Sequence, residues 1–519
     1  MRPDKPVRAL RGSGASAIAL LAFFTASVSA ARPAEPSAGT RAPSIEGPVT
    51  GGKGAPAIAA TVFDLAALGY RQEEYFLSGT ATAFTATGAL ATDGAWSVTP
   101  GASAPYKTRV VIWRPDDPAR FNGTVVVEWL NVSGGADAAP DWIFLHKHAI
   151  REGIAWVGVS AQQVGVVGGM TVLRTPSTRG LTTLDPERYG SLVHPGDSFS
   201  YDIFTQAGLA LRQSAVAAGA GGGSSAVPAA RPLGELAIER LLAIGESQSA
   251  FRLTTYIDAV DPIARVYDGY LVHARGGAGA ALAEEPQTAI AAPLPTFFRA
   301  DLRVPVLCVE AETDLITLGY LPARQADGER FRLWEIAGTA HADVYTIRVG
   351  AIDDGRRSPA ELAAAWAPTT AAVPGMSFAK PINSGPQHWV LNAALHHLER
   401  WLEDGTPPPQ APRLETVAGP PPSFALDEHG NARGGIRTPH LDVPTATLSG
   451  LGQEGAGFAR LFGITAPFDA AKLAALYPSR SAYLDAFARA TRAAVSAGFI
   501  LEADAAEIQA IAAASFPGS

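Results

Sequence analysis

The clearest indication of the fold is the segment Leu241-Leu242-Ala243-Ile244-Gly245-Glu246-Ser247-Gln248-Ser249. Its first half is an apolar run typical of a buried strand, and residues 249–260 then carry apolar side chains at the spacing of an amphipathic helix. A serine can occupy the sharp turn between such a strand and helix when the residues two before and two after it are small, because the two elements pack closely there. The stretch therefore predicts a strand–turn–helix unit with Ser247 at the turn, as a candidate nucleophile.

The short pattern of Gly-x-Ser-x followed by a small residue is weak by itself. It recurs at residues 196–200, 222–226 and 375–379. Only at Ser247 does the flanking sequence predict a strand before the serine and a helix after it. An alternative is that Ser247 merely caps the following helix, because serine is a favoured N-cap residue.

Two later segments supply the partners that a serine nucleophile needs. A serine hydroxyl is a poor nucleophile until a histidine accepts its proton, and a carboxylate must orient that histidine. Folds with this turn provide them in the order serine, acid, histidine, each after a later strand. Here Asp314 follows the predicted strand 304–309, and His341 follows the predicted strand 331–336. The sequence thus predicts a triad of Ser247, Asp314 and His341.

Other residues are alternatives for the acid and the histidine. Glu310 and Glu312 are rival acids, and Asp314 could instead be a loop carboxylate that caps the next helix. His341 could be a surface histidine, in which case His388, at the start of a predicted helix, is the best substitute.

Strands and helices alternate along most of the chain. This alternation predicts an α/β fold, with a mostly parallel sheet covered by helices on both faces. The predicted strands are 107–113, 124–129, 154–159, 240–244, 269–273, 304–309 and 331–336, and the main predicted helices are 140–152, 201–218, 249–260 and 387–402.

The composition excludes several classes of protein. Of 519 residues, 47% are hydrophobic and 17% are charged, unlike the composition of a disordered chain. The single cysteine, Cys308, excludes a disulfide framework, and the sequence has no Cys/His cluster for a structural zinc ion. The formal net charge is −8, and the body of the chain has no run of Lys or Arg, so we expect no nucleic-acid partner.

The N-terminus has the features of an export signal. A basic start is followed by an apolar run at 17–24 and by the small residues Val28-Ser29-Ala30, so residues 1–30 are predicted to be a signal peptide. The run is too short to span a bilayer, and we expect a secreted or periplasmic protein without a membrane span. The alternative is an N-terminus that is disordered and never cleaved.

The remainder of the chain divides into three parts. We expect a flexible leader (31–57), an α/β core (58–404) and a C-terminal extension packed on the core (405–519). Within the core, 163–200 is a long irregular insertion of the kind that forms a lid, and 219–232 is a low-complexity loop.

Five motifs together resemble the α/β-hydrolase superfamily, and within it a bacterial group known as the α/β-hydrolase domain family. The resemblance spans residues 58–515. Its motifs are Val127–Gly135 (VEWLNVSGG), Gly245–Ala250 (GESQSA), Glu312–Asp314 (ETD), Gly338–Asp343 (GTAHAD) and Gly430–Pro439 (GNARGGIRTP).

The resemblance implies an α/β-hydrolase fold and assigns roles to the candidate residues. Ser247 would be the nucleophile, His341 the general base and then the general acid, and Asp314 the orienting carboxylate. Ser249 departs from the superfamily pattern, which most often has glycine at that position. Serine is small enough for close packing, so the departure weakens the motif only slightly.

The same fold implies two donors for the oxyanion of the reaction. One is the backbone N–H of the residue after the nucleophile, here Gln248. The other comes from the loop after an early strand, where Asn131 or Val132 is the candidate.

These residues lead us to expect a secreted serine hydrolase that acts on small-molecule carboxylic esters, lactones included, through an acyl-enzyme. We expect no metal or organic cofactor, because the sequence has none of the usual phosphate, zinc or dinucleotide motifs. Two alternatives remain. One is an acyltransferase that uses the same triad, and the other is a non-catalytic binding protein of the same fold.

Overall fold

A nine-stranded sheet forms the centre of the computed structural model, which describes residues 43–172, 174–219, 230–371 and 376–517. In chain order its strands are β1 (Ser44–Glu46), β2 (Tyr70–Ala86), β3 (Val98–Pro115), β4 (Thr124–Trp129), β5 (Ala155–Val159), β6 (Arg240–Glu246), β7 (Gly269–His273), β8 (Val306–Ala311) and β9 (Phe331–Ile336).

The strands lie in the order β1-β2-β3-β5-β4-β6-β7-β8-β9. The six strands from β5 to β9 pair in parallel, and β1, β2 and β3 form an antiparallel edge. Parallel neighbours need crossover connections, which helices provide here. This confirms the predicted mostly parallel sheet.

Six α-helices are eight residues or longer among the described residues. They are α1 (Pro140–Glu152), α2 (Ser200–Gly219), α3 (Gln248–Thr255), α4 (Gln387–Glu403), α5 (Arg480–Ser496) and α6 (Glu502–Ser515). The shorter α-helices are Gln163–Val167, Leu181–Leu184, Pro186–Tyr189, Asp261–Ala264, Glu312–Ile316, Pro359–Ala365, Pro439–Asp442 and Ala470–Leu476. Single turns of other helix types lie at Ala66–Leu68, Pro118–Arg120, Asp197–Phe199, Tyr256–Val260, Leu321–Ala323, Tyr345–Val349 and Ala459–Leu461.

Four two-stranded ribbons complete the regular structure of the described residues. They pair Gly169–Met170 with Pro176–Ser177, Ser377–Phe378 with Gly455–Ala456, Thr416–Val417 with Ser423–Phe424, and Ala446–Ser449 with Ile464–Pro467.

Two apolar cores lie on the two faces of the sheet. Because side chains alternate along a strand, Val125 and Val127 of β4 point to one face and Val126 points to the other. The first core contains apolar residues of α2 and α3. The second contains residues of α1 and α4, together with residues of α5 and α6 from the C-terminal extension. Helices therefore cover both faces, as the sequence predicts.

The second strand of the antiparallel edge, β2, is not predicted by the sequence. β2 begins with the polar run Arg71-Gln72-Glu73-Glu74, which lacks the apolar alternation of a strand. Glu74 is fully buried because it pairs with two cations, Arg109 at 3.1 Å and Arg188 at 2.6 Å. These partners lie far along the chain, so tertiary contacts decide the structure of this segment.

The C-terminal extension covers the β9 edge of the sheet. The N–H of Ile436 donates to the carbonyl of Glu335 at 2.6 Å, and the N–H of Ala337 donates to the carbonyl of Ile436 at 3.0 Å. Gly434 and Gly435 precede this contact in the left-handed region, with φ of 72° and 65°, which favours glycine. The motif Gly430–Pro439 therefore has a structural role, because it covers the edge strand β9.

Several segments singled out in the sequence lie outside the described residues. They include the expected signal peptide (1–30), residues 31–42 of the leader and residues 220–229 of the low-complexity loop. In the part of the chain that the structure describes, none of the helices combines the length and apolar character needed to cross a membrane.

His388 at the start of α4 makes stability depend on pH. Its ring stacks on Tyr345 at 3.8 Å between centroids, and neither ring nitrogen has a hydrogen-bond partner in the described structure. Burial holds the pKa of His388 well below the ordinary value of 6.5. The folded protein keeps this ring neutral where the unfolded chain protonates it, so stability is lost as the pH falls below about 6.5.

We expect His388→Phe to reduce this acid sensitivity, because phenylalanine keeps the stacking and cannot be protonated. Between about pH 6.5 and pH 5, the free energy of unfolding should fall less steeply in the variant, by up to about 1.4 kcal/mol per pH unit. Urea unfolding at several pH values measures this slope. Equal slopes in the two proteins would contradict the assignment.

Candidate active site

The turn that carries Ser247 has the sharp geometry that the sequence predicts. β6 ends at Glu246 and α3 begins at Gln248, while Ser247 between them adopts φ 59° and ψ −121°. The N–H of Ser247 donates to the carbonyl of His273 at 3.0 Å. A Cβ added to Gly245 would lie 3.1 Å from the Cβ of Ser249, so both positions require small residues.

The structure brings the three predicted triad residues into one chain of hydrogen bonds. The Oγ of Ser247 lies 2.8 Å from Nε2 of His341, and Nδ1 of His341 lies 2.7 Å from Oδ1 of Asp314. The second oxygen of Asp314 accepts the N–H of Ala311 at 2.6 Å. With Asp314 ionised, Nδ1 carries the proton and Nε2 is free to accept the proton of Ser247.

The topology explains why these residues meet. Ser247, Asp314 and His341 follow β6, β8 and β9 respectively. All three strands are parallel, so their carboxyl ends lie at one edge of the sheet.

Each alternative acid or histidine has a different partner. Glu310 accepts the thiol of Cys308 at 3.0 Å, and Glu312 accepts backbone N–H groups of Gly338 and Gly450. His388 is buried between aromatic rings. None of the three contacts Ser247 in the described structure.

Glu246 is a site residue that the sequence analysis missed. Its Oε1 lies 3.2 Å from Nε2 of His341, the nitrogen that also faces Ser247. Burial raises the pKa of Glu246 to about 7, although the neighbouring histidines act to lower it. Burial alone would lower the pKa of His341, but Glu246 and Asp314 raise it to about 9. The position of Glu246 beside the nucleophile was the only signal in the sequence.

A second histidine–aspartate pair lies beside the triad. Nδ1 of His273 is 2.9 Å from Oδ1 of Asp141, and both side chains are buried. His273 is the register partner of Glu246 on the neighbouring strand. Burial lowers the pKa of His273, which favours its neutral form. No pattern in the sequence indicated this pair, because Asp141 lies within the predicted helix 140–152.

The two predicted oxyanion donors differ in the structure. Gln248 is the first residue of α3, and the N–H groups of a first helical turn have no partner within the helix. Asn131 has no free N–H, because its backbone donates to Ala138 at 2.9 Å and its side-chain amide donates to Glu246 at 3.1 and 3.2 Å. The prediction of Asn131 as a direct donor is therefore wrong. The N–H of Val132, the alternative, makes no hydrogen bond within the described residues.

The loop that carries Val132 is held by the insertion at 163–200. Ser177 donates to the carbonyl of Gly135 at 2.6 Å, and Arg179 reaches the carbonyl of Gly134 at 3.4 Å. The insertion contains short helices and a two-stranded ribbon, and its role as a lid stays a prediction.

The C-terminal extension reaches the loops that carry the acid and the histidine. Glu312 accepts the N–H of Gly338 at 2.6 Å and the N–H of Gly450 at 2.9 Å. The hydroxyl of Thr313 donates to the carbonyl of Gly450 at 2.6 Å. Glu312 thus links the short helix that carries Asp314 to the loop before His341 and to the turn at Gly450.

The chain belongs to the alpha/beta hydrolase domain family, whose model matches residues 45–510. A search of curated proteins gives no match. Similar solved structures include an arylesterase, with 11% identity, a TM-score of 0.22, and coverage of 40% of this chain and 63% of that one. The chain therefore spans less than two thirds of the arylesterase.

Two further structures have somewhat larger coverage. The carboxylesterase Cest-2923 from Lactobacillus plantarum WCFS1 has 10% identity, a TM-score of 0.24, and coverage of 47% of this chain and 78% of that one. Esterase Est22 has 12% identity, a TM-score of 0.26, and coverage of 51% of this chain and 72% of that one.

Gly450→Ala tests the link between the extension and the site. An added Cβ would lie 2.4 Å from the carbonyl oxygen of Thr339 and 2.7 Å from the nitrogen of Thr313, so both loops must shift. We expect a loss of about 1–3 kcal/mol of stability and a loss of reactivity at Ser247.

Thermal unfolding and the rate of labelling with a fluorophosphonate measure these two effects. Gly328→Ala is the matched control, because its added Cβ would meet only the Cβ of Phe331 at 4.0 Å. A Gly450→Ala protein as stable and as reactive as this control would refute the link.

Proposed function

We propose that the protein is an exported serine hydrolase of carboxylic esters, lactones included. The observation that carries the proposal is the continuous chain of hydrogen bonds from Ser247 through His341 to Asp314, at 2.8 and 2.7 Å. Next to Ser247, the N–H of Gln248 at the start of α3 has no hydrogen-bond partner among the described residues. Family membership supports hydrolysis as the class of reaction, and the geometry of the site supports the roles proposed for the three residues. The sequence features of residues 1–30 support export.

In the proposed mechanism, Ser247 attacks the ester carbonyl while its proton moves from Oγ to Nε2 of His341. The electron pair of the carbonyl bond moves onto oxygen, and the N–H groups of Gln248 and Val132 hold this oxyanion. Removal of one such donor typically costs about 3–4 kcal/mol of transition-state stabilisation. His341 then gives its proton to the leaving alkoxide, and the ester bond breaks.

Water resolves the acyl-enzyme in the second half of the reaction. His341 accepts a proton from water, the hydroxide adds to the acyl carbon, and Ser247 leaves with the proton returned by His341. Asp314 stays ionised and stabilises the imidazolium in both halves. An alcohol or amine in place of water would give the acyltransferase alternative, and product analysis with added acceptors distinguishes the two.

Labelling with a fluorophosphonate tests whether Ser247 is an activated nucleophile. We expect one adduct per chain by intact mass, and none in Ser247→Ala. Hydrolysis of short p-nitrophenyl esters should fall by at least about 10⁴-fold in the same variant. Ser214→Ala is the control, because Ser214 lies on α2 and, among the described residues, donates only to backbone carbonyls of its own helix. No adduct on folded wild-type protein would refute the proposal and favour a binding protein.

Paired substitutions of two acids test which one orients His341. We expect Asp314→Asn to lower kcat by about 10⁴-fold, because the amide favours the wrong tautomer of the histidine. Glu310→Gln removes the alternative acid, which bonds to Cys308, and should cost less than about 10-fold. Steady-state kinetics on a p-nitrophenyl ester measures both. A larger loss in Glu310→Gln than in Asp314→Asn would overturn the assignment.

A further inference from the structure

We propose that Glu246 is a further catalytic residue, which shares a proton with Nε2 of His341 and so sets the pH at which Ser247 becomes reactive. The inference rests on the proposed function, because it concerns the same histidine. It adds a fourth group to the site, on the side of the imidazole opposite to Asp314.

The geometry places two groups at one nitrogen. Nε2 of His341 faces Oγ of Ser247 at 2.8 Å and Oε1 of Glu246 at 3.2 Å. This nitrogen holds one proton or none. A proton between Nε2 and Glu246 therefore prevents Nε2 from accepting the proton of Ser247.

Glu246 is fixed where it can compete for this proton. Its side chain is nearly fully buried, and its Oε2 accepts the amide of Asn131 at 3.1 Å. The same amide reaches the carbonyl of Glu246 at 3.2 Å. Asn131 is itself anchored, because its backbone pairs with Ala138. The side-chain amide of Asn131 thus holds Glu246 in place.

The other titratable groups around His341 and Glu246 are few. Asp314 contacts Nδ1 of His341 from the short helix after β8. His273 lies beside Glu246 on β7, and Asp141 on α1 binds His273. Within the described structure, no Lys or Arg forms an ion pair with Glu246, so the opposite charge that stabilises the Glu246 carboxylate is the imidazolium of His341. The pKa of His341, raised to about 9 by its two carboxylates against the effect of burial, agrees with this pairing.

Two opposing effects on catalysis follow. In the singly protonated pair, Nε2 is blocked, so the site must lose a proton before Ser247 can attack. Once that proton is lost, the Glu246 carboxylate makes His341 a stronger base and stabilises the imidazolium that forms when Ser247 attacks the carbonyl. The carboxylate therefore lowers reactivity at acidic pH and raises it at alkaline pH.

The test is the pH profile of Glu246→Gln, measured from about pH 5 to pH 10. The readouts are the second-order rate of fluorophosphonate labelling and kcat/KM for a p-nitrophenyl ester. We expect the acidic midpoint to move down by at least about 1 pH unit, because glutamine has no charge to stabilise the imidazolium. Below the midpoint, a shift of one pH unit changes the rate, expressed as a fraction of the plateau rate, by about tenfold. At alkaline pH the plateau should be lower in the variant, so the variant should react faster than the wild type at acidic pH and more slowly at alkaline pH.

Two further variants serve as controls for the effect of Glu246→Gln. Glu246→Asp retains the charge on a shorter side chain and should give an intermediate midpoint, even if Glu246→Gln folds poorly. Glu239→Gln is the control, because Glu239 is exposed and lies before β6. Its profile should match that of the wild type.

The outcomes separate the inference from the proposed function. If Glu246→Gln lowers the rate equally at every pH, or moves the midpoint no further than Glu246→Asp does, Glu246 only packs against the site and the inference fails. If wild-type Ser247 is not labelled at any pH, the proposed function itself fails. A midpoint that moves only in the Glu246 variants supports both.

Discussion

The site depends on one strained turn. Ser247 is a non-glycine residue in the left-handed region, with φ 59°, and such conformations typically cost about 1–3 kcal/mol. The surrounding structure holds it there, because β6 is buried between β4 and β7 and the N–H of Ser247 bonds to His273. The same turn directs the side chain of Ser247 to His341, places Glu246 at the same nitrogen, and leaves the N–H of Gln248 without a partner in the helix.

The partners of Ser247 depend on parts of the chain that are distant in sequence. Glu312 accepts N–H groups from the loop before His341 and from Gly450 in the C-terminal extension. The extension also covers the open edge of β9, the strand that leads to the histidine loop. The extension is thus a part of the framework that orients His341 and Asp314.

The sequence predicts those features whose signal is local. The strand–turn–helix pattern identifies Ser247, and Asp314 and His341 follow because each lies just after a short apolar strand. Features that depend on distant partners are not predicted. β2 begins with a polar run in which Glu74 alone is buried, paired with Arg109 and Arg188. Likewise, Asn131 loses its expected role because Ala138 and Glu246 engage its donors, and Glu246 reaches His341 only through the fold.

A crystal structure of the protein after reaction with a fluorophosphonate tests the account most directly, because the phosphoryl oxygen of the adduct takes the place of the oxyanion. We expect a bond from phosphorus to Oγ of Ser247, with the phosphoryl oxygen about 2.7–3.1 Å from the backbone nitrogens of Gln248 and Val132. His341 should remain between Asp314 and the adduct. An adduct on another residue, or a phosphoryl oxygen that points away from the start of α3, would contradict the account.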